Sequence, residues 1–215
     1  NIKADNKFVL VNLAILSRHK GDTKSAICFL EKSVSIDPDF ADTYFNLGIT
    51  YNEIGNRKKA INLYQYAIKK NKKLISAYNN LAIIYQEDGE LEKAINLLKK
   101  AISVNTNYYE GHNNLGTIYD EKGNYDLAIE SYMNAINLNK NYPEALNNLG
   151  VSYKAENNVD LAISCFKKVI HFKPEDTDAL NNLGNTYREL GQVKDAINYL
   201  SKAVNFNPTF AEAHN

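Results

Sequence analysis

One short pattern constrains this chain more than any other feature in it. Asn-Leu-Gly or Asn-Leu-Ala begins at Asn12, Asn46, Asn80, Asn114, Asn148 and Asn182, each start 34 residues after the one before. Six recurrences without an insertion or deletion mean a stack of one supersecondary unit, because a unit this short buries its apolar face only against copies of itself. With Lys7 as position 1, the repeats start at Lys7, Ala41, Ile75, Tyr109, Pro143 and Thr177. The 215 residues are therefore expected to form a single array over 1–215, not one or two globular domains.

Each period carries helical spacing twice. Position 7 is Leu in all six repeats, position 8 is Ala or Gly, and position 11 is Tyr except at Ser17. Gly21, Gly55, Gly89, Gly123 and Gly191 then end the first helix, and Asn157 takes that place in the fifth repeat. Gly, and after it Asn, tolerates the left-handed conformation that closes a helix. In the second helix Ala26, Ala60, Ala94, Ala128, Ala162 and Ala196 are each followed by Ile, with Leu30, Tyr64, Leu98, Tyr132, Phe166 and Leu200 four residues on. This spacing puts one apolar stripe on the helix, and the small residues let the two helices of a pair approach closely. Pro38, Pro174 and Pro208 interrupt the chain before the next helix.

These residues resemble the tetratricopeptide (TPR) repeat over essentially the whole chain, with Trp absent and position 4 filled by Leu10, Tyr44, Tyr78, His112, Leu146 and Leu180. The resemblance implies an all-α fold, a right-handed α-solenoid of tandem 34-residue helix-turn-helix repeats. Both termini fall inside a period. Residues 1–6 match the tail of a second helix and 211–215 the opening of a first helix, so the chain is expected to be part of a longer protein.

Composition narrows the partners. The 25 Lys and Arg balance 25 Asp and Glu, which predicts no nucleic-acid partner and no anionic membrane surface. The longest apolar run, Phe8 to Leu16, is broken by Asn12 and falls short of the roughly 18 residues of a membrane span. Two cysteines are too few for a disulfide framework, and the one Asn-x-Thr match, at Asn207, has Pro208 in the middle. A cytoplasmic or nuclear location is the expectation.

In this fold the first helices line the concave face. Position 6 is Asn in every repeat, and the chain's 31 Asn do not explain a filled column when position 12 varies freely. An Asn amide offers both donors and an acceptor, matching a peptide bond. Asn12, Asn46, Asn80, Asn114, Asn148 and Asn182 are thus candidates for holding an extended polypeptide by its backbone; the alternative is that they order the helix stack. Asp42, Glu110, Glu144 and Asp178 at position 2, with Glu53, Glu87, Glu121 and Glu189 at position 13, give the groove rim an acidic cast, while lysines concentrate on the second helices. The chaperone-tail clamp known in this family needs cations at positions 5 and 2, where this chain has none, so that partner is excluded. The four histidines lack metal-ligand spacing, no phosphate loop or nucleophile elbow is present, and no cofactor, metal or catalytic residue is expected. A homodimer through the array is the other partner the fold leaves open.

The unbroken Asn column, with Asn147-Asn-Leu-Gly-Val-Ser-Tyr-Lys154 and Asn207-Pro-Thr-Phe-Ala-Glu-Ala213, is similar to the repeats of nucleocytoplasmic protein O-glycosyltransferases, the O-GlcNAc transferases and SPINDLY-type O-fucosyltransferases. The resemblance implies a substrate-holding role for the six Asn and transfers no catalytic residue. The competing reading is a stand-alone scaffold that assembles a complex.

Overall fold

The computed structural model describes residues 6–207, among which there are twelve α-helices and no strand. They fall into two compact units, up to Thr106 and from Asn107 onward. Unit 1 holds α1 (Lys7–His19), α2 (Thr23–Ile36), α3 (Ala41–Glu53), α4 (Arg57–Lys70), α5 (Ile75–Glu87) and α6 (Leu91–Val104). Unit 2 holds α7 (Tyr109–Glu121), α8 (Tyr125–Leu138), α9 (Pro143–Ala155), α10 (Val159–Phe172), α11 (Thr177–Glu189) and α12 (Val193–Phe206). The six repeat starts read from the sequence are the six first-helix starts. Within each unit every first helix packs on its own second helix, which packs in turn on the next first helix, the tandem build of an α-solenoid. The partial repeats expected at 1–6 and 211–215 lie, apart from Asn6, outside the described residues.

The turns inside the repeats have one physical cause. Gly55 has φ +76° and Asn157, in the equivalent place, φ +61°, so the chain reverses where a left-handed residue stands. The amide five residues after the position-11 residue then donates back to that residue's carbonyl, as from Asn56 to Tyr51 at 2.8 Å and from Asn158 to Tyr153 at 2.8 Å. This satisfies a carbonyl that the helix end would otherwise leave open. Side-chain caps start several helices: Asp22 accepts from the Ser25 amide and Asp176 from the Ala179 amide.

The core is a column of contacts between small and large residues. Ala26, Ala60, Ala94, Ala128 and Ala162 are fully buried. Beside them lie Tyr64, Tyr132 and Phe166, also fully enclosed. Each ring faces a glycine: a Cβ placed on Gly48, Gly116 or Gly150 would come within 2.6, 2.5 and 2.5 Å of the ring opposite. Where the opposite residue is Leu30 or Leu98, position 8 is Ala14 or Ala82 instead, because the narrower side chain leaves room for a methyl group. Gly184, facing Leu200, is the exception.

Candidate peptide-binding face

The position-6 amides sit on first helices in both units, but they are not equivalent. In unit 1, Asn12 is exposed, Asn46 is buried and Asn80 half-buried. Asn46 Nδ2 donates to the Asp42 carbonyl one turn back in its own helix at 2.8 Å, and Asn80 Nδ2 reaches the Tyr64 hydroxyl at 3.5 Å. In unit 2, Asn114, Asn148 and Asn182 are all half-buried. There Asn148 Nδ2 donates to Asn113 Oδ1 at 3.2 Å and Asn182 Nδ2 to Asn147 Oδ1 at 3.0 Å.

The difference follows from position 5. A position-6 amide meets the position-5 side chain of the preceding repeat, 35 residues earlier. For Asn148 and Asn182 that residue is Asn113 or Asn147, an acceptor; for Asn46 and Asn80 it is Val11 or Phe45, which accepts nothing. Asn113 is 1% exposed, and it donates onward to Glu144 Oε1 at 3.1 Å, so Asn148, Asn113 and Glu144 form a relay between α7 and α9. Asn113 and Asn147 were not singled out from the sequence as site residues. Their signal was the Asn-Asn doublet, visible in the last four repeats and absent from the first two.

The same 35-residue offset recurs two turns along the helix. Lys154 pairs with Glu189 at 2.8 Å and Arg18 with Glu53 at 3.3 Å. Arg57 adds ion pairs to Glu87 and, at 2.6 Å, to Asp88. The acidic rim expected at position 13 is thus neutralised at Glu53, Glu87 and Glu189. Acidity survives instead at position 2 of unit 2. A cleft of about 440 Å³ opens there, lined by Asn147, Asn148, Glu144, Asp178 and the ion pair of Lys173 with Asp176. Apolar area stands nearby in the same face, with Val151 of α9 44% exposed.

One carboxylate of unit 2 is held differently. Asp120, on α7, accepts from the Tyr132 hydroxyl at 2.8 Å and from the Ser152 hydroxyl at 2.8 and 2.9 Å. Burial nevertheless raises its pKa, and these hydrogen bonds only moderate the rise. His112, at position 4 of its repeat, is half-buried, and burial lowers its pKa. Cys28 and Cys165 are both unbridged; burial pushes the Cys165 thiol up to about 11. Among the described residues no helix is long and apolar enough to cross a membrane, and no group of three His, Cys, Asp or Glu is placed to hold a metal.

Comparison with known proteins agrees with this geometry. No curated protein sequence matches the chain. Among solved structures, MamA is 29% identical with a TM-score of 0.68, over 79% of this chain and 92% of that one. PilF of Pseudomonas aeruginosa superposes with a TM-score of 0.80 at 19% identity, over 97% of each chain. YrrB, described as a TPR protein with an unusual peptide-binding site, has a TM-score of 0.66 at 24% identity, over 83% of this chain and 92% of that one. Family models described as tetratricopeptide repeat match residues 9–40, 29–62, 73–141, 143–176 and 177–210. With helix starts, turns and core recurring on the same period, the chain belongs to the tetratricopeptide repeat family of protein-interaction scaffolds.

Proposed function

We propose that the position-6 amides of each unit bind extended polypeptide through its backbone, and that those of unit 2 bind it the more strongly. The observation that carries the reading is the Asn147-Asn148 doublet on the 440 Å³ cleft. Asn148 spends one N–H on Asn113. Its other N–H and its Oδ1 are left for a ligand, a pattern that matches a peptide unit's own acceptor and donor. The inter-repeat bond fixes the amide's orientation, so a ligand does not have to order it. Glu144 and Asp178 beside it favour polar or basic ligands over acidic ones.

The test uses peptides of 12 residues recovered by display on the intact chain, then titrated by fluorescence anisotropy. Asn114→Ala with Asn148→Ala should weaken binding at least tenfold, beyond the modest fall in melting temperature that loss of the Asn148–Asn113 bond brings. Unchanged affinity in the folded variant would assign the column to stacking alone. Binding that ignores both salt and peptide charge would remove the basic preference.

The finer form of the proposal is that the array presents protein substrates to a sugar-transferring domain, with no catalytic role of its own. It is supported by the likeness of the unbroken Asn column to O-glycosyltransferase repeats. Its test is whether the gene encodes a nucleotide-sugar-binding α/β region with this array. If it does, transfer from UDP-GlcNAc or GDP-fucose to a display-selected peptide should fall with the Asn variants. Without that region, the protein is the scaffold alone.

A further inference from the structure

The zero net charge conceals an asymmetry between the two units. Up to Thr106 the chain has 16 Lys and Arg against 11 Asp and Glu; from Asn107 onward it has 9 against 14. In unit 1 the excess lies on second helices. The α4 helix has Arg57, Lys58, Lys59, Lys69 and Lys70 and no carboxylate, and Lys72 and Lys73 follow it.

A cleft of about 340 Å³ opens on this basic region, between α4, α5 and α6. Its apolar lining comes from Ile68, Leu81 and Leu97. Its charged lining is Lys93 and Lys100, with no acid. The Lys93 ammonium forms an exposed ion pair with Glu90 and lies 5.1 Å from the centroid of the Tyr85 ring, and the Tyr85 hydroxyl accepts from Gln65 Nε2 at 3.1 Å, so one wall is held in place. Lys100 is exposed and has no ion-pair partner among the described residues.

Unit 2 contains the same cleft two repeats further on, about 230 Å³ in volume. There Met133 stands for Gln65, Leu161 for Lys93 and Cys165 for Leu97, and Lys168 is its only charged lining residue. The backbone builds the cleft in both units, and side chains make only the unit 1 cleft doubly cationic.

We propose that the α4–α5–α6 cleft is a second docking site, for an acidic peptide segment that inserts one bulky apolar side chain between flanking carboxylates. The volume suits a single Leu or Phe side chain with its backbone, at the low end of ligand-pocket sizes of roughly 300–1,000 Å³. Lys100 meets one ligand carboxylate directly, and Lys93 meets the other by exchanging its solvent-exposed pairing with Glu90, a pair worth little by itself, giving specificity and a faster encounter. The cleft shares α5 with Asn80, but Asn80 does not line it. It also selects the opposite ligand charge, so the two sites can fail independently.

The experiment uses the intact chain and a fluorescein-labelled peptide with a central Leu-Phe flanked by Asp and Glu. Two controls replace the acids by Asn and Gln, or Leu-Phe by Ser-Ser. The expected result is binding that weakens at least tenfold with either control peptide and with Lys93→Glu/Lys100→Glu, at an unchanged melting temperature. Lys168→Glu should leave it within twofold, and so should the Asn114→Ala/Asn148→Ala pair. Three results would overturn the proposal: affinity indifferent to the lysine reversals, a single-stranded RNA oligonucleotide binding with the same dependence on the lysines, or self-association in sedimentation abolished by the same variant.

Discussion

Units 1 and 2 are built from the same helix lengths, the same turns and the same buried alanines, yet their faces differ. In unit 2 Asn148 and Asn182 bond to the position-5 amides Asn113 and Asn147; in unit 1 Asn46 and Asn80 turn to the Asp42 carbonyl and the Tyr64 hydroxyl. The equivalent outer clefts carry Lys93 and Gln65 in one unit and Leu161 and Met133 in the other. The comparison teaches that the period determines where a repeat protein can have sites, and a few columns outside the core determine what those sites recognise.

The largest expected effect tests the core that the units share. Gly150→Ala should destabilise unit 2 by about 1–3 kcal/mol, because the new methyl group meets the Phe166 ring. Adding Phe166→Leu recreates the Ala82 and Leu98 combination of unit 1 and should recover part of that loss; thermal denaturation of the single and double variants reads both. If the double variant is no more stable than Gly150→Ala, the size matching between positions 8 and 24 is wrong.

A smaller effect sharpens the difference between the amides. A double-mutant cycle on Asn113 and Asn148 should give a coupling of about 0.5–1.5 kcal/mol, one hydrogen bond's net contribution. The matching cycle on Val11 and Asn46 contains no hydrogen bond and should give a distinctly lower coupling. Equal couplings in urea unfolding would erase the distinction between the units.

The smallest effect is in pH dependence, and the two units should differ in sign. Asp120 in unit 2 has a raised folded pKa, so its contribution is full below the ordinary carboxylate pKa and is lost as pH rises through the folded value. Asp22 and Asp37 in unit 1 are lowered, chiefly by hydrogen bonds from Ser25 and Lys7, so their contribution is present above the ordinary pKa and lost as pH falls. Asp120→Asn keeps an acceptor for Ser152 and Tyr132. It should remove the loss of protection in unit 2 on raising pH from below the ordinary carboxylate value toward neutrality, read by amide hydrogen exchange. The same slope in wild type and variant would mean that Asp120 is not the group responsible.

Most of the fold was legible because it depends on neighbours along the chain. A left-handed Gly or Asn157 closes each first helix, spacings of three and four lay the apolar stripe, and the identical period repeats every contact between adjacent helices. The candidate face was legible as a column of Asn, though not as a set of partners.

The sequence alone therefore determined the twelve helix positions, the turns, the buried alanines and the six amides on the first helices. The tertiary structure decided which amide bonds to Asn113 or Asn147, that Arg18, Arg57 and Lys154 neutralise position 13, and that Asp120 is shielded enough to raise its pKa. Those outcomes depend on side chains about 30 residues away that meet only when one repeat packs on the next, and such meetings obey distance in space rather than spacing along the chain.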